Sequence, residues 1–390
     1  MERICIPDHE FKERVRKAQL AMAAEGVDIL FAFANEAEPQ FVRYLSDYWP
    51  SFETAAVMMG QKGEPVLLIG PESLTFASDR SRIPDIRRVK CLRESSNPEY
   101  PGHKLDTIAE AIESVRSGPV RRLAVAGYNL VPKIVYDDLR EALDELGGGE
   151  IVRGDQIIMD LRMVKSENEI ACLKKAGEIT VNALKKVLEN IRPGMTEQQV
   201  CGIAMGEMLA QGAESEAYPF WALAGQGSDQ AISRPRAKVI EKHDYVHLGV
   251  AARYEGYAAT IGRGVFFGEP DAWVLDAMKA GYEAAAVVEE QLFDGNNAGT
   301  VAKRYVESLK KTGHDQYLLY GPCHATGLME GEPPWIETNS DYVIHENMCY
   351  CIDIFMGDGK GKGLRVEESV RVGKERADIY TPFPREIIRL

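Results

Sequence analysis

The sequence predicts an α/β domain followed by an α+β domain, on three observations. The chain has 390 residues, a length that suits two domains, each burying a core of its own. Up to Gly147-Gly-Gly-Glu150, short apolar runs alternate with amphipathic helical stretches. Beyond that point two helical stretches precede long strand-like runs.

In order, Asp28–Phe33, Ala55–Met59, Pro65–Ile69 and Leu123–Ala126 read as strands, with helices over 9–25, 105–116 and 132–145. The glycine run interrupts this pattern, and the boundary is set at 157/158, giving domains 1–157 and 158–390. Ser166 stands three residues before Glu169, the spacing of a capping box, so a long helix starts there. Its apolar positions Ile170, Leu173, Ala176, Ile179, Val181, Leu184 and Val187 keep roughly helical spacing until Arg192-Pro-Gly-Met-Thr196. Thr196 caps a second helix toward Gln211. Strands follow at 219–224, 244–251 and 257–266, helices at 271–291 and 297–312, and strands at 348–355 and 364–371.

Hydrophobic residues at 45% and charged residues at 27% give the balance of a soluble globular protein. Lys and Arg number 46 against 60 Asp and Glu, a net charge of -14. That excess argues against nucleic acid as a partner and for a neutral or cationic small-molecule substrate. No apolar run is long enough to span a membrane, and Met1 to Asp8 lacks a signal-peptide core, which places the protein in the cytoplasm without a membrane partner. Seven cysteines are scattered without a Cys-x-x-Cys pair, so reduced thiols are expected and neither a zinc nor a redox motif is present. Cys349 and Cys351 sit two apart in an apolar run, where a strand points both to one face.

Five segments carry a resemblance: Arg162-Met-Val-Lys-Ser-Glu-Asn-Glu-Ile170, Arg192-Pro-Gly-Met-Thr196, Asp244 to Tyr257, Cys323-His-Ala-Thr-Gly-Leu-Met-Glu-Gly-Glu-Pro-Pro334, and Gly363-Leu-Arg-Val-Glu-Glu-Ser369. In this order they resemble the pita-bread superfamily of prolidase, aminopeptidase P, methionine aminopeptidase and creatinase. The fourth is similar to that family's Gly-His-Gly-Ile-Gly-Leu-x-x-His-Glu-Pro-Pro, and the fifth to its Gly-Val-Arg-Ile-Glu-Asp. The resemblance implies a creatinase/prolidase-type α/β domain ahead of a pita-bread catalytic domain. It also implies a homodimer in which Trp49 and Phe52 stand where one subunit's N-terminal domain meets the other's site.

The family's metallopeptidases hold two metals on two Asp, one His and two Glu. By this resemblance the Asp positions fall at Gly249 and Thr260, the His at His324, and the two Glu at Asp353 and Glu367. The family's supporting histidines fall at Gly331 and Ser233. Gly and Thr offer no anionic oxygen, so the expected cofactor and metal are none, although one ion on His324, Asp353 and Glu367 is conceivable.

Alternation along Tyr245–Ala251 puts His247 and Gly249 on a face suited to a pocket. Asp353 stands in an otherwise apolar strand and needs a cation or donor opposite it, with Arg365 and Arg263 at hand. By the resemblance, His324, Asp353 and Glu367 are the expected catalytic residues and Ser233 and Glu332 expected substrate-binding ones, with His247 added to the latter by its place on the pocket face. The first expectation is a metal-independent, creatinase-like hydrolase that cleaves a C–N bond of an amide, amidine or guanidino compound, with a histidine as acid and base. The second is an Xaa-Pro dipeptidase or aminopeptidase with a reduced metal site, and the third an inactive pita-bread domain that binds peptides.

Overall fold

The computed structural model describes residues 3–390. It divides into two compact units, one over Ile6–Arg162 and one over Met163–Leu390 together with residues 3–5.

The first unit contains α1 (Asp8–Ala24), β1 (Ile29–Ala34), α2 (Gln40–Ser46), β2 (Ala55–Gly60), β3 (Val66–Ile69), α3 (Leu74–Arg80), β4 (Ile86–Arg88), α4 (Ile108–Val115), β5 (Arg122–Ala126), α5 (Lys133–Glu145) and β6 (Glu150–Arg153), and α6 (Asp155–Met163) runs up to its boundary. Its mixed six-stranded sheet has the order β4-β3-β2-β1-β5-β6. Central β1 is buried at every position, which is why it reads as an unbroken apolar run instead of an alternating one. Short α2 and α3 escape the sequence reading, because α2 is buried on all sides and shows no amphipathic period.

The second unit contains α7 (Glu167–Asn190), α8 (Glu197–Ala210), β7 (Ser215–Glu216), β8 (Trp221–Ala224), β9 (Tyr245–Tyr254), β10 (Tyr257–Phe266), α9 (Ala272–Gln291), α10 (Ala298–Thr312), β11 (Cys323–Ala325), β12 (Glu332–Ile336), β13 (Cys349–Gly357), β14 (Gly363–Val372), β15 (Ala377–Ile379) and β16 (Ile388–Arg389). Capping boxes at Ser166/Glu169 and Thr196/Gln199 start α7 and α8, satisfying amides that the first turn of a helix leaves open. The main path of its ten-stranded sheet is β12-β11-β13-β14-β10-β9-β7.

Two cores form on this sheet. Apolar residues of α7 and α8 pack on Val246, Leu248 and Val250 of β9 and Ile261 and Val265 of β10. Those of α9 and α10 pack on Ile352 and Ile354 of β13 and Leu364 and Val366 of β14. Strand alternation turns the intervening residues to the opposite face.

Candidate active site

That opposite face carries a continuous row. Asp353 of β13 lies opposite Glu367 of β14, Glu367 opposite Gly262 of β10, Gly262 opposite Gly249 of β9, and Gly249 opposite Trp221 of β8. Above the row lies a cavity of about 760 Å³, walled by Tyr218, Trp221, Ser233, Tyr320 and Trp335 and floored by His324, Glu330, Asp353, Arg365 and Glu367. Ile232, 87% exposed, and Leu319, 61% exposed, put apolar side chains on its rim.

Arg365 holds the floor together. Its Nη1 donates to Glu367 Oε1 at 2.9 Å, and its Nη2 donates to the Ala231 carbonyl. Its Nε lies 3.7 Å from Asp353 Oδ1, and neither atom has a hydrogen-bond partner among the described residues. The guanidinium lies 4.5 Å from the Trp221 ring and 5.3 Å from that of Phe355, a stacked setting that suits Arg and not Lys. Burial opposes its charge, but Asp353 and Glu367 outweigh that and hold it protonated.

Glu367 is fully engaged. Its Oε2 accepts from the Tyr218 hydroxyl at 2.9 Å and from Thr260 Oγ1 at 3.0 Å. Burial and then the Glu367 charge raise the Tyr218 phenol well above its ordinary range, so it remains a donor. The Tyr218 and Trp221 rings stack with centroids 4.5 Å apart, and Trp221 Nε1 donates to the Ser233 carbonyl at 2.8 Å. Asp353 thus finds its cation in Arg365, while Arg263 pairs with Glu368.

His324 sits on β11 opposite Cys351 of β13. Its Nδ1 lies 3.0 Å from the Ala325 carbonyl; a carbonyl only accepts, so Nδ1 carries the hydrogen and Nε2 is left to face Glu330 Oε1 at 3.5 Å. Burial lowers the basicity of His324, but the charges of Glu330 and Asp353 raise it by more. Burial likewise pushes the Glu330 carboxyl up against the opposing pull of His324.

The residues singled out in the sequence are therefore divided. His324, Asp353, Glu367 and Ser233 line one cavity. Ser233 contributes its carbonyl to Trp221, while its hydroxyl donates to Gln230 at 2.6 Å. His247, expected in the pocket, is fully buried beneath Trp221, with ring centroids 5.9 Å apart. Glu332, expected to bind substrate, is instead buried in an ion pair with Lys165 at 3.0 Å. Glu330 is the site residue that the sequence reading missed. The available signal was a carboxylate beside Gly331, where the resembling family has a histidine.

The residues at the family's metal positions do not fit a two-metal centre. A Cβ on Gly249 would lie 2.8 Å from Trp221 and 2.9 Å from the Tyr218 hydroxyl, so those side chains fill the space of the first carboxylate. Thr260 and Tyr218 supply hydroxyls at the second, and the guanidinium of Arg365 already balances Asp353 and Glu367.

An α/β unit followed by a helix-backed antiparallel sheet with a charged cleft defines a two-domain pita-bread hydrolase. The chain belongs to metallopeptidase family M24, whose model matches residues 171–374, with a creatinase/prolidase N-terminal domain over 14–164. As a member it is a hydrolase of C–N bonds. It is 25% identical over 381 residues to the Xaa-Pro dipeptidase of Pyrococcus furiosus, covering 97% of this chain and 100% of that one. The X-Pro aminopeptidase of Thermotoga maritima superposes with a TM-score of 0.83 at 23% identity, over 97% and 99% of the two chains. The prolidase of Pyrococcus horikoshii does so at 0.81 and 22%, over 96% and 100%. These matches correct the expectation of a metal-independent, creatinase-like hydrolase: the relative matched from end to end is a peptidase, and the carboxylates expected to grip a guanidino substrate are taken up by Arg365. Among the described residues no helix is long and apolar enough to cross a membrane.

Proposed function

We propose that the chain is an Xaa-Pro dipeptidase-type peptidase that hydrolyses small peptides in the cavity above Arg365. The supporting observation is the end-to-end match to an Xaa-Pro dipeptidase, joined to a cavity of about 760 Å³, a volume that encloses a ligand of dipeptide size. On the floor, Arg365 Nε and Asp353 Oδ1 form an ion pair at 3.7 Å, neither atom having a hydrogen-bond partner among the described residues. The cavity floor sets the Asp353 carboxylate and the Arg365 guanidinium beneath a bound peptide. Glu367, Tyr218 and Trp221 hold the guanidinium in place, and the stacked rings exclude bulk water. A homodimer in the cytoplasm is part of the same reading.

The test is a panel of Xaa-Pro and other dipeptides incubated with the full-length protein under varied divalent-cation supply, reading release of the C-terminal residue. Turnover of one or more dipeptides is expected, falling by about a hundredfold or more in Asp353→Asn. Intact peptides throughout the panel, at every cation supply, would overturn the proposal.

A further inference from the structure

At the cavity floor three donors of different chemistry converge without serving the Arg365 cluster. A ring nitrogen of His324, one Glu330 carboxylate oxygen and Cys351 Sγ all lie within 4.8 Å of one another, and His324 Nε2 faces Glu330 Oε1 at 3.5 Å. They come from β11, from the loop that follows it, and from β13, with His324 and Cys351 directly opposite in register. The environment of each leaves its donor atom available. His324 is pinned through Nδ1 to the Ala325 carbonyl at 3.0 Å, the outer bond that orients a metal-binding imidazole. Glu330 Oε1 has no hydrogen-bond partner among the described residues. Cys351 Sγ makes a long contact of 3.5 Å to the Ile352 carbonyl.

We propose that His324, Glu330 and Cys351 form a mononuclear site for a borderline-soft divalent cation such as Zn²⁺ or Co²⁺. An imidazole, a carboxylate and a thiolate match the preferences of these ions and not those of Mg²⁺ or Ca²⁺. Bonds of roughly 2.0–2.3 Å in a tetrahedron place donors about 3.5 Å apart, so the three side chains close in by about 1 Å on binding. The thiol gives up its proton to solvent as the metal–sulfur bond forms. His324 and Glu330 also line the cavity, so the fourth position opens to water or substrate. The site differs from the family's two-metal arrangement, because Glu330 and Cys351 stand where the resembling motifs have no ligand. It goes beyond the peptidase reading and does not depend on which peptide is cleaved.

The experiment is titration of chelator-treated, full-length protein with Co²⁺, followed by absorption. One ion per chain is expected, with a near-ultraviolet thiolate-to-cobalt band that Zn²⁺ displaces and Cys351→Ser abolishes. Glu330→Gln, at a partly exposed position that leaves the fold intact, is expected to keep the band while weakening binding by about tenfold or more. No Co²⁺ binding, binding without a thiolate band, a band that survives in folded Cys351→Ser, or unchanged affinity in Glu330→Gln each overturns the site. Absence of dipeptide turnover leaves it standing, so the two proposals fail separately.

Discussion

His247 carries two ring nitrogens into a fully buried position where neither has a hydrogen-bond partner among the described residues. Burial, and then the nearby Arg365 charge, depress its pKa well below the ordinary 6.5. In the unfolded chain the ring takes up a proton as pH falls through about 6.5, whereas the folded chain resists it. The stability tied to this residue is therefore present above pH 6.5 and lost as pH falls below it. His247→Leu removes that proton uptake and the unpartnered polar ring, and is expected to hold or gain about 1 kcal/mol at pH 7. Denaturant unfolding at pH 7 and pH 5 checks this: the wild type loses more stability than the variant over that interval, and equal losses would contradict the account. At this scale the sequence was informative where a residue broke its surroundings, as Asp353 does in an apolar strand. It was silent on Glu330, because a glutamate beside glycine looks the same in a pocket or on a surface.

Two elements, β8 and β9, decide what the floor can hold, since Trp221 of one lies over Gly249 of the other. Placing the family's aspartate there by Gly249→Asp forces a side chain into contacts under 3.0 Å with Trp221 and the Tyr218 hydroxyl, and adds a charge to a buried strand. A loss of about 3 kcal/mol or more is expected, read as a lower thermal midpoint; a variant as stable as wild type would show that the space is not filled. Capped helices and alternating strands were legible because their signals are local, as at Ser166, Thr196 and Val246–Val250. Three-residue β11 and five-residue β12 were not, since neither is long enough to display a period. β12 also contains Pro333 and Pro334, which count against a strand in any reading of sequence alone.

The whole molecule contains separate cores, and one of them lies wholly inside the first unit, between Ile29 and Leu143; Phe11, Ala18 and Met22 of α1 are buried in that unit as well. A fragment of residues 6–162 is therefore expected to fold alone and to melt cooperatively, checked by circular dichroism and by protection of β1 and β5 amides from exchange. A non-cooperative melt without protected amides would refute this. The two-domain architecture was legible because each half has its own pattern of element types. The reaction was harder to read: Gly249 and Thr260, standing where the family has its Asp ligands, pointed away from peptidases, whereas similarity along the full chain points toward them. The row from Asp353 to Trp221 has one more effect. Its members come from both helix-backed halves of the sheet, which meet where β10 pairs with β14 at Ile261–Glu368 and Gly262–Glu367. A ribosome that has not yet released β14 has produced the aromatic walls and Asp353 without Arg365 and Glu367, the pair that ties the floor together. Ligand capture by this protein is thus a late event in its biogenesis, reserved for chains in which β10 and β14 have already found each other across the helices between them.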